Sequence, residues 1–384
     1  MDAETGGARL GPRAGNSNCV TMQQPDTKAE RARADEEYQR HILQGVSRTF
    51  ALTIPQLPPD LRRIVGNAYL LCRIADTIED EPALSAEQKR RFSQQFIDAV
   101  DAKLSAERFA SELSPLLTES TLPTERELIE NTARVLRLTH SFTANQRDIL
   151  ARAVAIMAKG MSVFQANKDI NGLKDLPQLD SYCYYVAGVV GEMLTELFCD
   201  YSREIDRNRD AMMKLAVSFG QGLQMTNILK DIWEDRTRGA CWLPQDVFKQ
   251  ARFDLNDLSK DEHGESFEEG LEQLIGIART HLGNALSYTL MIPRSEKGIR
   301  RFCLWALGMA VLTLRKINRH RGFTTGNEVK ISRRSVRATI AATNMLVSND
   351  RLLRLLFNAT TRGLPRSSPR AIPDSRRVRP YSIS

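Results

Sequence analysis

Residues 224–235 read QMTNILKDIWED, and residues 69–80 read YLLCRIADTIED. Each stretch sets two aspartates four residues apart among apolar neighbours. In the first, Gln224, Asn227, Asp231 and Asp235 stand at relative positions 0, +3, +7 and +11. In the second, Tyr69, Arg73, Asp76 and Asp80 stand at 0, +4, +7 and +11. At 3.6 residues per turn, each set forms a single stripe along a helix. The flanking positions (Leu70, Leu71, Ile74; Leu223, Met225, Ile228, Leu229) are apolar. Both stretches therefore read as polar stripes on helices that are otherwise buried.

The same period continues outward from these two stretches. Apolar residues recur at i, i+3, i+4 and i+7 from about Glu36 to Leu356, and strand-like alternation is almost absent. Breaks fall at turn chemistry: PQLPPD from Pro55, TLPT from Thr121, NGLKDLPQLD from Asn171 and TRGACWLPQD from Thr237. Helices without strands imply an all-α bundle, and no linker divides it. The reading is one domain over residues 36–360. Residues 1–35 and 361–384 are expected to be disordered tails.

The chain has 384 residues, 42% of them hydrophobic, enough for a sizeable core. No run of about 18 uncharged apolar residues appears, so no membrane-spanning helix is expected. The N-terminus lacks a basic region followed by an apolar one, which argues against a secretory signal. Six cysteines lack metal-ligand spacing and suit a reducing, cytoplasmic setting. The net charge is +7, and from Arg362 onward six arginines face one acid, Asp374. That tail reads either as solvated or as drawn to an anionic membrane surface. No aromatics alternate with its arginines, so nucleic acid is not expected as a partner.

Two carboxylate stripes facing each other would repel unless cations lay between them. Mg²⁺ suits such a site: it takes hard oxygen ligands and typically binds one or two carboxylates plus substrate phosphates. Asp76, Asp80, Asp231 and Asp235 are therefore the candidate metal ligands, and a phosphate-bearing substrate is implied. An isolated pair of aspartates four apart is ordinary on a solvated helix. Two matched stripes with amide and basic companions are not. Arg48, Arg73 and Lys230 are candidates for phosphate oxygens, with an ordinary salt bridge as the alternative for each. The small residues Ala187, Gly188 and Gly191 allow either close helix packing or room for a long apolar chain. Tyr182 is either a hydroxyl satisfied by backbone or a proton-transfer group. Lys330, Arg333, Arg334 and Arg337 could meet a cofactor phosphate, with Ser332 capping the helix they begin. No GxGxxG fingerprint is present.

SRTF (47–50), YLLCRIADTIED, MAKGM (157–161), YCYYVAGVVGEM (182–193) and QMTNILKDIWED occur in order. Together they resemble the squalene and phytoene synthases, the head-to-head trans-prenyltransferases, over roughly residues 40–345. The resemblance implies an isoprenoid synthase fold around a central cavity, with Mg²⁺ and two prenyl diphosphates held by the two Asp-rich motifs. It places Tyr182 at the catalytic tyrosine. It places Arg48, Arg73, Lys230, Gln224, Asn227, Tyr69 and Tyr288 near the diphosphates, with Lys230 where Arg is commoner.

RRFCLWALGMAVLTL (300–314) and EVKISRRSVRATI (328–340) resemble the segments of the squalene-forming members, the second being associated with NADPH. Farnesyl diphosphate is the implied substrate. Phytoene, dehydrosqualene and presqualene diphosphate formation without reduction are the alternatives. Ala240 stands where many relatives carry Arg, and Ala306 and Leu307 also depart from the eukaryotic pattern. The membrane anchor that ends the eukaryotic enzymes is not seen in this sequence. A non-catalytic helical assembly factor would be expected to lose acids from the stripes, and all four aspartates remain.

Overall fold

The computed structural model describes residues 27–166, 168–259 and 264–367. The first helix runs Lys28–Val46 and so begins before residue 36, the expected start of the domain. Thr27 accepts a hydrogen bond from the Glu30 amide while the Glu30 side chain reaches back to the Thr27 amide, a reciprocal cap. Asp35 is buried against Arg134 and Arg137. The first turns of this helix are exposed, so they carry no apolar period by which the sequence could announce them. Most of the expected N-terminal tail, and of the C-terminal one, lies outside the described residues.

Regular structure among the described residues is helical, apart from one isolated bridge between Leu173 and Pro244. Helices Pro59–Asp80, Ala144–Ala166, Val189–Tyr201, Arg209–Lys230, Glu265–Met291, Lys297–Arg319 and Arg333–Leu346 all contribute to the wall of a cavity of about 1470 Å³. Buried apolar side chains form two packed groups. One is centred on Phe92, Phe96 and Phe109, the other on Phe248, Phe267 and Phe323. Ile156 and Phe219 pack against both. Among the described residues no helix is long and apolar enough to cross a membrane. The five described cysteines are free and buried, where they act as small hydrophobes.

The small-residue run packs closely, and Ala187 and Gly191 also line the cavity. A Cβ on Gly191 would lie 2.1 Å from the Ala216 carbonyl oxygen, and one on Gly220 would lie 2.1 Å from that of Ala187. The Val189–Tyr201 and Arg209–Lys230 helices thus meet backbone to backbone. Between Cys183 and Val189 the chain widens into a π turn, Tyr184–Gly188, which presents the Ala187 carbonyl to Gly220. These helices carry cavity residues, so their spacing sets the width of the cavity. Because backbone cannot swing aside, we expect Gly191→Ala and Gly220→Ala each to lower stability by about 1–3 kcal/mol. Urea denaturation measures this, and wild-type midpoints for both variants would refute the backbone contact.

Candidate active site

The Pro59–Asp80 helix brings Tyr69, Arg73, Asp76 and Asp80 to the cavity on one face, as their spacing requires. The opposite stripe departs slightly from expectation. The helix breaks at Asp231 (φ −102°, ψ 16°), between Arg209–Lys230 and Ile232–Thr237. Helical hydrogen bonds nonetheless cross the break, from Asp231 N to Asn227 O and from Asp235 N to Asp231 O, both 2.9 Å. The register survives, and Gln224, Asn227, Asp231 and Asp235 all line the cavity.

The electrostatics show that the stripes confront each other. Burial raises Asp76 to about 7, with Asp80 and Glu125 adding to the rise against Arg73. Burial likewise raises Asp235 to about 7, and both Asp231 and Asp80 push it further. Asp80 is also raised, chiefly by burial. Glu79, a cavity residue not singled out from the sequence, is raised to about 8 by burial and by Asp80 and Asp76.

Each cation has its own setting. Arg73 is bonded to Glu125 and lies 3.6 Å from Asp76. Lys230 pairs with Asp231 at 2.9 Å. Arg48 is exposed at the cavity wall and has no ion-pair partner among the described residues. Arg238, absent from the sequence-based candidates, also lines the cavity and lowers both Asp80 and Asp235. It precedes Gly239, whose φ of +74° turns the chain so that Ala240 and Trp242 also reach the cavity. No periodicity could reveal Arg238, because it sits in a turn.

The Tyr182 ring stacks on Trp242, with centroids 4.1 Å apart and planes 7° apart, and meets Phe164 edge-on at 5.4 Å. Its hydroxyl is held well above its ordinary pKa by burial and then by Asp235, with Asp80 and Asp76 adding to the effect. Tyr182 thus stays protonated within the field of both stripes. The Tyr69 hydroxyl donates to the Val46 carbonyl (3.0 Å).

Tyr288 also lines the cavity. Its hydroxyl is 2.9 Å from Thr195 Oγ1, and Thr195 donates to the Gly191 carbonyl, so Tyr288 is the donor between them. It meets Phe219 edge-on, in the apolar part of the wall. In the basic segment, Lys330, Arg333 and Arg337 line the cavity whereas Arg334 does not. Arg333, Val336, Arg337 and Ile340 share the cavity-facing side of the Arg333–Leu346 helix, and Arg334 stands outside it. Ser332 caps this helix by accepting from the Ser335 amide.

Among the described residues, no group of three or more His, Cys, Asp or Glu side chains could hold a metal ion by itself. The acids come as pairs. That suits Mg²⁺, which completes its shell with waters and substrate phosphates. Like-charged carboxylates raised to about 7 are groups that a divalent cation would stabilise.

The squalene/phytoene synthase family profile matches residues 43–335. The chain belongs to the squalene/phytoene synthase family. It is 28% identical over 293 residues to a squalene synthase of Saccharomyces cerevisiae, covering 76% of this chain and 63% of that protein. It is 31% identical over 305 residues to a squalene synthase of Rattus norvegicus, covering 79% and 68%. The chain thus spans roughly three fifths to two thirds of the length of such relatives. Among solved structures it resembles TcSQS in complex with the ligand BPH1237 (TM-score 0.70, 25% identity, 85% of this chain and 91% of that one). A dehydrosqualene synthase with bound ligand shares the fold (TM-score 0.62, 19% identity, 82% and 97%).

The raised carboxylates carry a sign. The folded state binds more protons than the unfolded state between their ordinary value of 3.8 and about 7. Their contribution to stability is therefore present below about pH 4 and lost as pH rises through about 7. Metal binding needs them deprotonated, so it strengthens over the same rise. We expect Mg²⁺ with inorganic diphosphate to raise the melting temperature more at pH 8 than at pH 6. An equal shift at both values, or none, would contradict the paired-carboxylate site.

Proposed function

We propose that this chain joins two farnesyl diphosphates head to head through presqualene diphosphate and, with NADPH, reduces the product to squalene. The observation that carries this reading is the pair of facing aspartate stripes at a cavity of about 1470 Å³ whose remaining wall is largely apolar. Pockets for a single drug-sized ligand run about 300–1,000 Å³, so there is room for more than one prenyl chain.

In this reading, Asp76 and Asp80 would hold Mg²⁺ for one diphosphate and Asp231 and Asp235 would hold it for the other. The ion, when bound, stabilises the negative charge that develops on the departing diphosphate. Arg48, Lys230 and Arg238 add positive charge to the same oxygens, and Gln224 and Asn227 offer amide hydrogen bonds. Arg73 acts chiefly by orienting Asp76, because Glu125 already holds it.

Loss of diphosphate leaves an allylic cation, the acceptor double bond attacks it, and a proton departs to close the cyclopropane. Tyr182 is protonated, so it serves as a hydrogen-bond donor near the leaving diphosphate rather than as the base. The released diphosphate is then the proton acceptor. Trp242 and Phe164 hold the Tyr182 ring in place. The apolar wall, with Phe219, Tyr288 and Phe302, excludes water that would trap the cation. Loss of the remaining diphosphate from the cyclopropyl intermediate leaves a second cation, which rearranges; NADPH, when bound, would supply the hydride that quenches it, and Lys330, Arg333 and Arg337 are the cavity cations available for its phosphates.

Incubation with farnesyl diphosphate and Mg²⁺ is expected to yield squalene with NADPH and presqualene diphosphate without it, read by mass spectrometry of the lipid extract. Only 40-carbon products, formed from geranylgeranyl diphosphate, would overturn the squalene assignment. Asp80→Ala and Asp235→Ala should each lower turnover by about 10²–10³ at unchanged helix content, the scale of losing a main electrostatic stabiliser. Near-normal turnover in both would remove the metal role.

A further inference from the structure

Between Lys330 and Arg366 the chain carries eight basic residues, all exposed, against one acid, Asp350. Asp350 is itself clasped by Arg300 and Arg294. This segment thus holds a net +7, equal to the charge of the entire chain, and the remainder sums to zero.

The same segment exposes large apolar side chains: Met345 at 84%, Leu355 at 62% and Leu352 at 42%. On the Asp350–Thr360 helix, Leu352 and Leu355 stand three apart, and Arg351 and Arg354 precede them, so an apolar ridge runs beside a basic one. On the Arg333–Leu346 helix, Ala338, Ala341 and Met345 form a second exposed ridge. Another face of that helix, with Val336, Arg337 and Ile340, lines the cavity, and Thr343 is its one buried residue. This helix is therefore a thin wall between the cavity and an exposed apolar, basic surface.

We infer that the outer face of these two helices is a docking surface for an anionic lipid bilayer. Charge decides against a second copy of the chain: a symmetric contact would set Arg334, Arg351 and Arg354 of one copy, which do not line the cavity, against the same arginines of the other, and like charges brought together repel. A bilayer with anionic headgroups neutralises the arginines at about 1 kcal/mol per base near the surface. It also accepts Leu352, Leu355 and Met345 at the acyl boundary, the arrangement of an interfacial amphipathic helix. The surface would set the cavity wall against the one solvent in which a hydrocarbon product dissolves. The docking stands on charge and exposure and does not require the proposed reaction.

The test is sedimentation of the full chain with vesicles of phosphatidylcholine alone or mixed with phosphatidylglycerol. We expect binding at least about tenfold stronger to the anionic vesicles, weakening as salt screens the charges. The double variant Leu352→Asp/Leu355→Asp should lose about tenfold of that binding with its melting temperature unchanged. Arg351→Gln/Arg354→Gln should lose a similar factor. A chain ending at Ser367 should keep the binding. Equal binding to both vesicle types, or to neither, overturns the inference. So does undiminished binding by the leucine variant, or loss of binding on removal of residues 368–384. A lipid-free dimer that the leucine variant converts to monomer would instead make this face an interface between copies.

Discussion

Crowding of like-charged carboxylates at one cavity is the constraint on which the rest depends. Asp76 and Asp235 are half-buried at its wall and Asp80 is exposed there, and Asp80 raises Asp76 and Asp235 alike. Burial of unpaired charge is expensive, and proteins relieve it by protonation or by a counterion. Protonation is the route the carboxylates themselves offer, favoured up to about pH 7. Under the proposed function a metal ion would be the counterion. The acids by themselves weaken the fold above that pH.

The surrounding structure keeps that conflict in place. Backbone contact at Gly191 and Gly220 locks the helices on either side of the cavity, and the π turn at Tyr184–Gly188 supplies one of the carbonyls involved. Just before that turn, Tyr182 is pinned flat against Trp242. A tyrosine so buried, beside three carboxylates, cannot ionise readily, which restricts it to donating a hydrogen bond. Rigid packing and electrostatics thereby narrow the chemistry of one side chain that the sequence leaves open between structural and catalytic roles.

Much of the site was legible because a helix converts sequence spacing directly into a shared face. Asp76 and Asp80, and likewise Asp231 and Asp235, were found from spacing alone, and even the break at Asp231 preserves the register. Residues outside that periodicity were missed. Arg238 lies in the turn after Asp235, and Trp242 follows Gly239, whose positive φ turns the chain toward the cavity. Glu125 comes from a distant helix to hold Arg73. Tyr288 was placed near the diphosphates by resemblance alone; it lines the cavity, and a tyrosine's sequence neighbours do not tell which part of the wall it joins.

By itself the sequence determined the all-helical class and the two acid stripes, since each of these is a local pattern set by the 3.6-residue period, and the family motifs were legible beside them as a resemblance in residue identity and order. Tertiary structure alone decided which stripes face each other, that Gly191 serves packing, that Arg334 turns away from the cavity while Arg337 enters it, and that Leu352 and Leu355 are left uncovered. The physical reason is that apolar periodicity states that a face will be buried. What buries it, or whether anything does, depends on how distant helices stack, and contacts between residues far apart in the chain leave no mark on local spacing.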